Sequence, residues 1–236
     1  MKKFLLVFWL MCGNAFSMSI TAQSWIETDI DGNLIQGFNV SEVRSIASIT
    51  KLMTAMVVID SNQDMNQKIG RYSRGDLIQL ALVKSDNNAA TALCKAFPGG
   101  YQECIKQMNA RAESLAMFNT RFVDSTGISS LNRSNALELL QLVIESSKYP
   151  AIVKASQTPV LYLRSGKHTH SFKNTNPLIG QRHDFIISKT GTTTAAGGCI
   201  VLMVDTIHGK RLVIVLGSKT GKRIPEAESI ALNTKG

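Results

Sequence analysis

A serine and a lysine three residues apart, Ser48 and Lys51, stand at the start of the apolar stretch ASITKLMTAMVV. Side chains at this spacing share one face of a helix, so the lysine amine can reach the serine hydroxyl. Burial lowers the pKa of a lysine from about 10.4, and the neutral amine is then a base that turns a neighbouring serine into a nucleophile. The alternative is a simple helix start in which the lysine head reaches water.

Two further short motifs follow in the chain. Ser85, Asp86 and Asn87 lie in a polar break between two helical segments. Lys189-Thr190-Gly191 ends a strand, and a second Lys-Thr-Gly at 219–221, followed by more basic residues, is interpreted as a solvated turn. Each motif alone is weak, since a polar turn can simply cap a helix. Their order is specific: S-x-x-K on a helix, S-x-N and then K-T-G on a strand is the motif set of penicillin-recognising serine enzymes.

Strands at both ends of the chain and helices between them must position these motifs. Strands are predicted around Asp31-Gly32 and again from residue 158 onward, with turns at Ser165-Gly166 and His208-Gly209. Helices are predicted over Asp76–Val83, Asn88–Phe97, Tyr101–Leu115, Asn135–Ser147 (with Ser134 as its N-cap) and Pro225–Ala231. We expect an α/β (α+β) fold with one antiparallel sheet, built from both chain ends and packed against helices.

The first residues, MKKFLLVFWLMCGNAFS, predict a secretory signal peptide. Small residues favour cleavage after Ser17, which leaves one domain over 18–236, and Ala22 offers an alternative end. Lipidation of Cys12 is not expected, because Met11 stands where a small residue is needed. The chain is therefore expected to be exported.

Charge and cysteine content agree with export. The formal charge of +9 falls to +7 once Lys2 and Lys3 are removed, which favours an anionic polymer as partner, while the scattered charges do not indicate a nucleic acid. Cys94 and Cys104 flank the helix breaker FPGG and could form a disulfide, or they could be two separate buried thiols; Cys199 is left over.

The chain resembles the low-molecular-weight penicillin-binding proteins, which are D-alanyl-D-alanine endopeptidases and carboxypeptidases, and most closely their endopeptidase branch. The resemblance covers most of residues 44–217, in the stretches ASITKLMTAMVV, LIQLALVKSDNNAATAL, FPGGYQECIKQMNARAESLAM, NTRFVDSTGISSLNRSNALELLQLV, FKNTNPLI and SKTGTTTAAGGC. It implies a β-lactamase/transpeptidase-like fold with an all-helical lobe, and a serine peptidase that cleaves peptidoglycan stem peptides through an acyl-enzyme. It also implies covalent inhibition by β-lactams, no cofactor and no metal.

The resemblance implies a role for each catalytic residue. Ser48 would be the nucleophile and Lys51 its base, with Lys189 across the cleft helping to lower the pKa of Lys51. Ser85 would relay a proton to the leaving nitrogen. Asn87 would orient Lys51 and bind the substrate amide.

It implies binding roles as well. The backbone N–H groups of Ser48 and Thr192 would form the oxyanion hole. Lys189, with the hydroxyls of Thr190 and Thr192, would hold a substrate carboxylate. Gly191 would let the peptide lie close to its strand. These positions complete the expected site.

The sequence leaves alternative hypotheses for the reaction and for a metal site. A carboxypeptidase, a β-lactamase and a non-catalytic wall-binding protein are the alternatives to an endopeptidase. Class A β-lactamases deacylate through a glutamate in an E-x-x-L-N loop, and neither Glu113 nor Glu138 has that spacing. His168 and His170 could present two metal ligands, but no matching carboxylate or cysteine pair accompanies them.

Two departures from the family pattern stand out. The segment 61–75 is shorter than the family's usual excursion, and it borders the cleft, so it bears on substrate preference. We also expect the chain to lack the extra β domain and amphipathic C-terminal anchor that many carboxypeptidase relatives carry. We therefore expect a soluble periplasmic protein that meets the membrane only through its signal segment.

Overall fold

A five-stranded antiparallel sheet forms the centre of the protein. The structure, a computed structural model, describes residues 19–181, 184–207 and 209–232; the predicted signal segment 1–17 and turn residue His208 lie outside these ranges. The strand order is β2-β1-β11-β10-β9. The strands are β1 (Ser24–Asp29), β2 (Leu34–Phe38), β9 (Asp184–Thr193), β10 (Gly197–Thr206) and β11 (Gly209–Ser218). Two strands come from the start of the chain and three from its end, which confirms the predicted sheet.

Seven helices of the described part of the chain surround this sheet. They are α1 (Thr50–Asp60), α2 (Arg74–Val83), α3 (Asn87–Lys95), α4 (Gly100–Ser114), α5 (Ala136–Ser146), α6 (Pro150–Gln157) and α7 (Arg223–Leu232). The predicted helices are confirmed, although α6 was not among them. The predicted N-cap Ser134 is wrong by one residue. Asn135 is the cap, because its side chain accepts a hydrogen bond from the Glu138 N–H at 2.8 Å.

In the described ranges, three two-stranded sheets lie outside the central one. They pair β3 (Arg44–Ser45) with β6 (Arg133–Ser134), β4 (Lys68–Ile69) with β5 (Tyr72–Ser73), and β7 (Val160–Ser165) with β8 (His168–Lys173). The β4–β5 pair occupies the short segment between α1 and α2. The β7–β8 hairpin confirms the strands predicted on either side of Ser165-Gly166.

Helix α1 is the buried centre of the helical layer. Its residues from Thr50 to Val58 are all buried, because the helix is apolar on nearly every side and contacts α3, α4 and α5. Helix α7 covers the other face of the sheet, where Ala227 and Ile230 pack against Val213 and Val215. The sheet therefore lies between two helical layers. Among the described residues, no helix is long and apolar enough to cross a membrane.

The three cysteines that the structure describes take two different forms. Cys94 of α3 and Cys104 of α4 form a disulfide, so the first of the two alternatives is correct. The bond ties the two helices together across the Pro98-Gly99 turn. Cys199 is a buried free thiol, and burial raises its pKa to about 11. It therefore stays protonated at neutral pH.

Candidate active site

Ser48 and Lys51 lie side by side at the start of α1. Ser48 sits in a 3₁₀ turn (Ala47–Ile49) that leads into the helix, and Lys51 is 0 % exposed in its first turn. The amine nitrogen Nζ of Lys51 lies 2.8 Å from Ser48 Oγ, 2.7 Å from Asn87 Oδ1 and 2.7 Å from the carbonyl oxygen of Thr126. The amide and carbonyl oxygens only accept, so they take both N–H bonds of a neutral amine. The lone pair is then left for the serine hydroxyl.

The protonation of Lys51 follows from its surroundings. Burial lowers the pKa of Lys51 from 10.5 to about 8, although the carboxylates of Asp124 and Asp86 act to raise it. Desolvation is the main cause of the shift at Lys51, and the positive charge of Lys51 also lowers the pKa of Lys189. A substantial neutral fraction of Lys51 is therefore present near pH 8.

Ser85 and Lys189 form a second polar pair across the cleft. The Nζ atom of Lys189 donates to Ser85 Oγ at 2.9 Å and to the carbonyl oxygen of Thr190 at 2.7 Å. Burial, together with the positive charges of Lys51 and Arg223, lowers the pKa of Lys189 well below 10.5. Ser85 has a backbone φ of +59°, an unfavourable value for a residue with a side chain, so packing must hold it in place. The site therefore carries a strained serine beside a desolvated cation.

The strand that carries the K-T-G motif touches the nucleophile. β9 is an edge strand, and a Cβ built on Gly191 would lie 2.7 Å from the backbone nitrogen of Ser48 and 2.9 Å from Ala47 Cβ. Only glycine permits this approach. The next residue, Thr192, is exposed on the strand edge. The strand thus brings Thr192 beside the turn that carries the Ser48 amide, and its free edge is available to an extended peptide.

One loop of the site was not predicted from the sequence. The carboxylate of Asp124 accepts hydrogen bonds from the N–H groups of Thr126, Gly127 and Ser129 at 2.6, 2.7 and 2.8 Å. These bonds and one from the Thr126 hydroxyl hold the pKa of Asp124 below its usual range, against the opposite effect of burial. The loop so formed aims the Thr126 carbonyl at Lys51. The turn-forming sequence DSTG was the available signal.

Asn132 links this loop to α1 through hydrogen bonds. Its side chain is fully buried, accepts from the N–H of Val123 at 2.8 Å, and donates to the Asp124 carbonyl at 2.9 Å and to Thr50 Oγ1 at 3.1 Å. Thr50 lies next to Lys51. Asn132 is therefore a positioning residue for the base.

Two more side chains border the K-T-G strand. The Thr190 hydroxyl donates to Thr175 Oγ1 at 2.7 Å. Arg223, at the start of α7, packs beside Gly198, which pairs with Thr192, and its Nε atom has no hydrogen-bond partner among the described residues. The second Lys-Thr-Gly, 219–221, is an exposed turn as predicted, but Arg223, two residues later, lies near enough to Lys189 for its charge to lower the pKa of that lysine.

The predicted site residues therefore meet in one cleft. The histidines do not join them: His168 and His170 lie exposed on β8. Within the described ranges no cluster of three or more His, Cys, Asp or Glu side chains could hold a metal ion.

Comparison with known proteins agrees with this geometry. A family model described as D-alanyl-D-alanine carboxypeptidase, serine peptidase family S11, matches residues 13–70 and 62–220. The two matched pieces overlap within the short segment between α1 and α2.

Similar proteins and structures carry related names. The chain is 40% identical to D-alanyl-D-alanine endopeptidase of Escherichia coli, over 81% of this chain and 69% of that protein. It is 35% identical to the Pseudomonas aeruginosa endopeptidase, over 93% and 78%. The ampicillin-bound crystal structure of penicillin-binding protein D2 from Listeria monocytogenes superposes with a TM-score of 0.81 at 23% identity, covering 91% of this chain and 96% of that one. The fold is thus the expected one, and the chain belongs to the S11 family of serine peptidases.

Proposed function

We propose that this protein is a D-alanyl-D-alanine endopeptidase that cleaves peptide cross-links of peptidoglycan through an acyl-enzyme on Ser48. The main observation behind this proposal is the buried Lys51 amine, which lies 2.8 Å from Ser48 Oγ and donates to the oxygens of the Asn87 side chain and the Thr126 backbone. The relatives named endopeptidases are 33–40% identical, whereas those named carboxypeptidases are 25–26% identical. This difference supports the endopeptidase over the carboxypeptidase.

Acylation follows from the hydrogen bonds of the site. Neutral Lys51 takes the Ser48 hydroxyl proton as Oγ attacks the D-alanyl carbonyl carbon. The negative charge that develops on the carbonyl oxygen meets the backbone N–H groups of Ser48 and Thr192. When the C–N bond breaks, the proton that Lys51 took from Ser48 passes through the Ser85 hydroxyl to the leaving nitrogen. Lys51 is then neutral again, and the acyl group stays on Ser48. Asn87 keeps the Lys51 amine in place throughout.

Lys189 and its neighbours supply the binding site for the substrate carboxylate. Burial makes the Lys189 amine easy to deprotonate. A substrate carboxylate bound beside it favours the charged amine, so the two groups form a strong ion pair on binding. The Thr190 and Thr192 hydroxyls lie on the same strand, and Arg223 adds a second cation beside them. Gly191 keeps the peptide close to β9.

Mass spectrometry with benzylpenicillin tests the proposal. A β-lactam acylates the same serine, and without a deacylating glutamate the adduct is expected to persist and to map to the peptide that contains Ser48. Purified cross-linked muropeptides should then be cut into monomers. Release of terminal D-alanine alone would make the protein a carboxypeptidase. Rapid consumption of penicillin without an adduct would indicate a β-lactamase. If the protein reacts with neither penicillin nor muropeptides, wall binding is the function that remains.

The acylation rate is expected to depend on pH through Lys51. Because the amine must be neutral to accept the proton, the rate should fall about tenfold per pH unit below the pKa. It should level off above that pKa, which is about 8. The measurement is the second-order rate constant with a fluorescent penicillin from pH 5.5 to pH 9.5. A rate that does not change across this range would contradict Lys51 as the base.

We also propose that residues 1–17 are removed on export to the periplasm, and that the cut precedes Met18. Thr21 and Ala22 are part of the folded domain: the N–H and hydroxyl of Thr21 donate to Glu226 Oε1 at 2.7 and 2.6 Å, and Ala22 packs in the core. Glu226 is fully buried. Cleavage after Ala22 would remove Thr21 and leave the Glu226 carboxylate without these donors, which costs about 1–3 kcal/mol or more.

The mass of the exported protein decides between the two cleavage sites. Material recovered from the periplasm of an expressing cell should begin at Met18. A chain that begins at Gln23 would show that the hydrogen bonds of Thr21 are dispensable, and a full-length chain in the membrane fraction would contradict cleavage altogether.

A further inference from the structure

The two faces of the β7–β8 hairpin differ in character. On one face Leu161, Leu163 and Phe172 join the core cluster, and the hairpin contacts α2. The other face is exposed to solvent. We call this the outer hairpin face, and it consists of Tyr162, Arg164, Thr169, Ser171 and Lys173.

An exposed aromatic ring lies at the middle of the outer hairpin face. Tyr162 is 67 % exposed and pairs with Ser171 across the hairpin, while Arg164 pairs with Thr169. A tyrosine presents a rigid apolar ring and a hydroxyl, a combination suited to a ligand that is partly apolar and partly polar. The apolar C–H face of a sugar ring, edged by hydroxyl groups, is such a ligand.

The surrounding sequence is basic. No Asp or Glu occurs between Glu145 and Asp184. The outer hairpin face carries Arg164 and Lys173, and Lys167 is exposed at the hairpin turn. Such one-sided charge attracts anions. The surface therefore complements a polymer that combines sugar rings with carboxylates.

The end of the outer hairpin face lies close in the chain to a contact with the K-T-G strand. Thr175, whose hydroxyl accepts from Thr190 of the K-T-G strand, follows Lys173 by two residues. Because an extended chain spans at most about 3.6 Å per residue, Lys173 lies within about 7 Å of Thr175, and Thr169 within about 22 Å. A long substrate bound at Ser48 can therefore continue across this face.

We propose that the outer hairpin face is a docking surface for the peptidoglycan strand outside the cleaved peptide. Tyr162 packs on a sugar ring, and Arg164 and Lys173 bind carboxylates of neighbouring stem peptides. The inference rests on the proposed function, because that function supplies the polymer. It adds a site that serves the intact wall rather than a soluble peptide.

Sedimentation with purified insoluble sacculi tests this surface. The parent protein carries Ser48→Ala so that it binds without digesting the wall. Adding Tyr162→Ala, Arg164→Gln and Lys173→Gln is expected to raise the apparent dissociation constant about tenfold and to weaken its dependence on salt. A matched control, Phe118→Ala with Lys95→Gln and Lys106→Gln, removes an equally exposed ring and the same charge elsewhere. It should bind like the parent.

The outcomes separate this inference from its competitors. Equal binding by the parent and the hairpin variant overturns it, and so does an equal loss in the control, which would indicate unspecific charge attraction. With sacculi whose carboxylates have been amidated, the difference between parent and hairpin variant should shrink. If that difference is unchanged, Arg164 and Lys173 do not bind carboxylates of the stem peptides, and this part of the proposal is wrong.

Activity measurements keep the proposed function separate. In protein that retains Ser48, the hairpin substitutions should leave penicillin acylation and cleavage of a soluble cross-linked muropeptide unchanged, and slow the digestion of sacculi. If the unsubstituted protein cleaves no muropeptide, the proposed function fails. The sedimentation comparison still decides the docking surface, because it uses inactive protein.

Discussion

Replacing Lys51 with methionine is expected to reduce penicillin acylation and muropeptide cleavage by at least about 10⁴-fold, as fully as Ser48→Ala does. Methionine fills the same buried volume but cannot accept the Ser48 proton. Because nucleophile and base act in one step, the double variant should be no slower than either single variant. A fluorescent penicillin measures the rate directly, and thermal unfolding shows whether each variant remains folded.

Two further variants make this expectation specific. Lys51→Arg keeps a positive charge but stays protonated at any pH of interest, so it should be as inactive as the methionine variant. Lys95→Met removes an exposed lysine from the helix that begins with Asn87 and should leave the rate unchanged. Acylation of the Lys51→Met protein within tenfold of the native rate would mean that another group is the base.

Replacing Gly127 with alanine is expected to destabilise the protein by about 4 kcal/mol or more and to slow acylation at least about a hundredfold. The added Cβ would lie 1.9 Å from the carbonyl oxygen of Ala47 and 2.9 Å from the nitrogen of Ser48, and the backbone φ is +83°. These are backbone atoms of the turn that carries the nucleophile. The turn must move to make room, and Ser48 moves away from Lys51 with it.

Gly32→Ala is the matched control for this change. Gly32 has a φ of +86°, and a Cβ there would have no neighbour within 4 Å. It should therefore show the conformational cost alone, about 1–2 kcal/mol, with no change in the acylation rate. Denaturant unfolding and penicillin acylation measure both effects. Equal losses of stability in the two variants would show that the contact between Gly127 and Ala47 is not the cause.

Local spacing along the chain was enough to predict the pairs that lie within one element. Ser48 and Lys51 are three residues apart, and helical geometry alone brings their side chains together. The alternating and apolar segments likewise predicted the strands of the central sheet, because burial on the sheet requires them. The Asn135 cap was missed by one residue, since both Ser134 and Asn135 are good cap residues and only the backbone path separates them.

Contacts between distant parts of the chain needed the tertiary structure. Asn87 and Thr126 are 36 and 75 residues from Lys51, yet their oxygens accept hydrogen bonds from its amine. The approach of Gly127 to Ala47, and that of Arg223 to the K-T-G strand, likewise depend on how separate elements pack.

The sequence by itself determined the identity of the reactive groups and their local order. Only the tertiary structure decided the lengths of the hydrogen bonds, the burial that lowers the lysine pKa values, and the loop that aims the Thr126 carbonyl. The physical reason is that a pKa and a hydrogen bond depend on every group within a few ångströms, and most of those groups come from other elements of the fold.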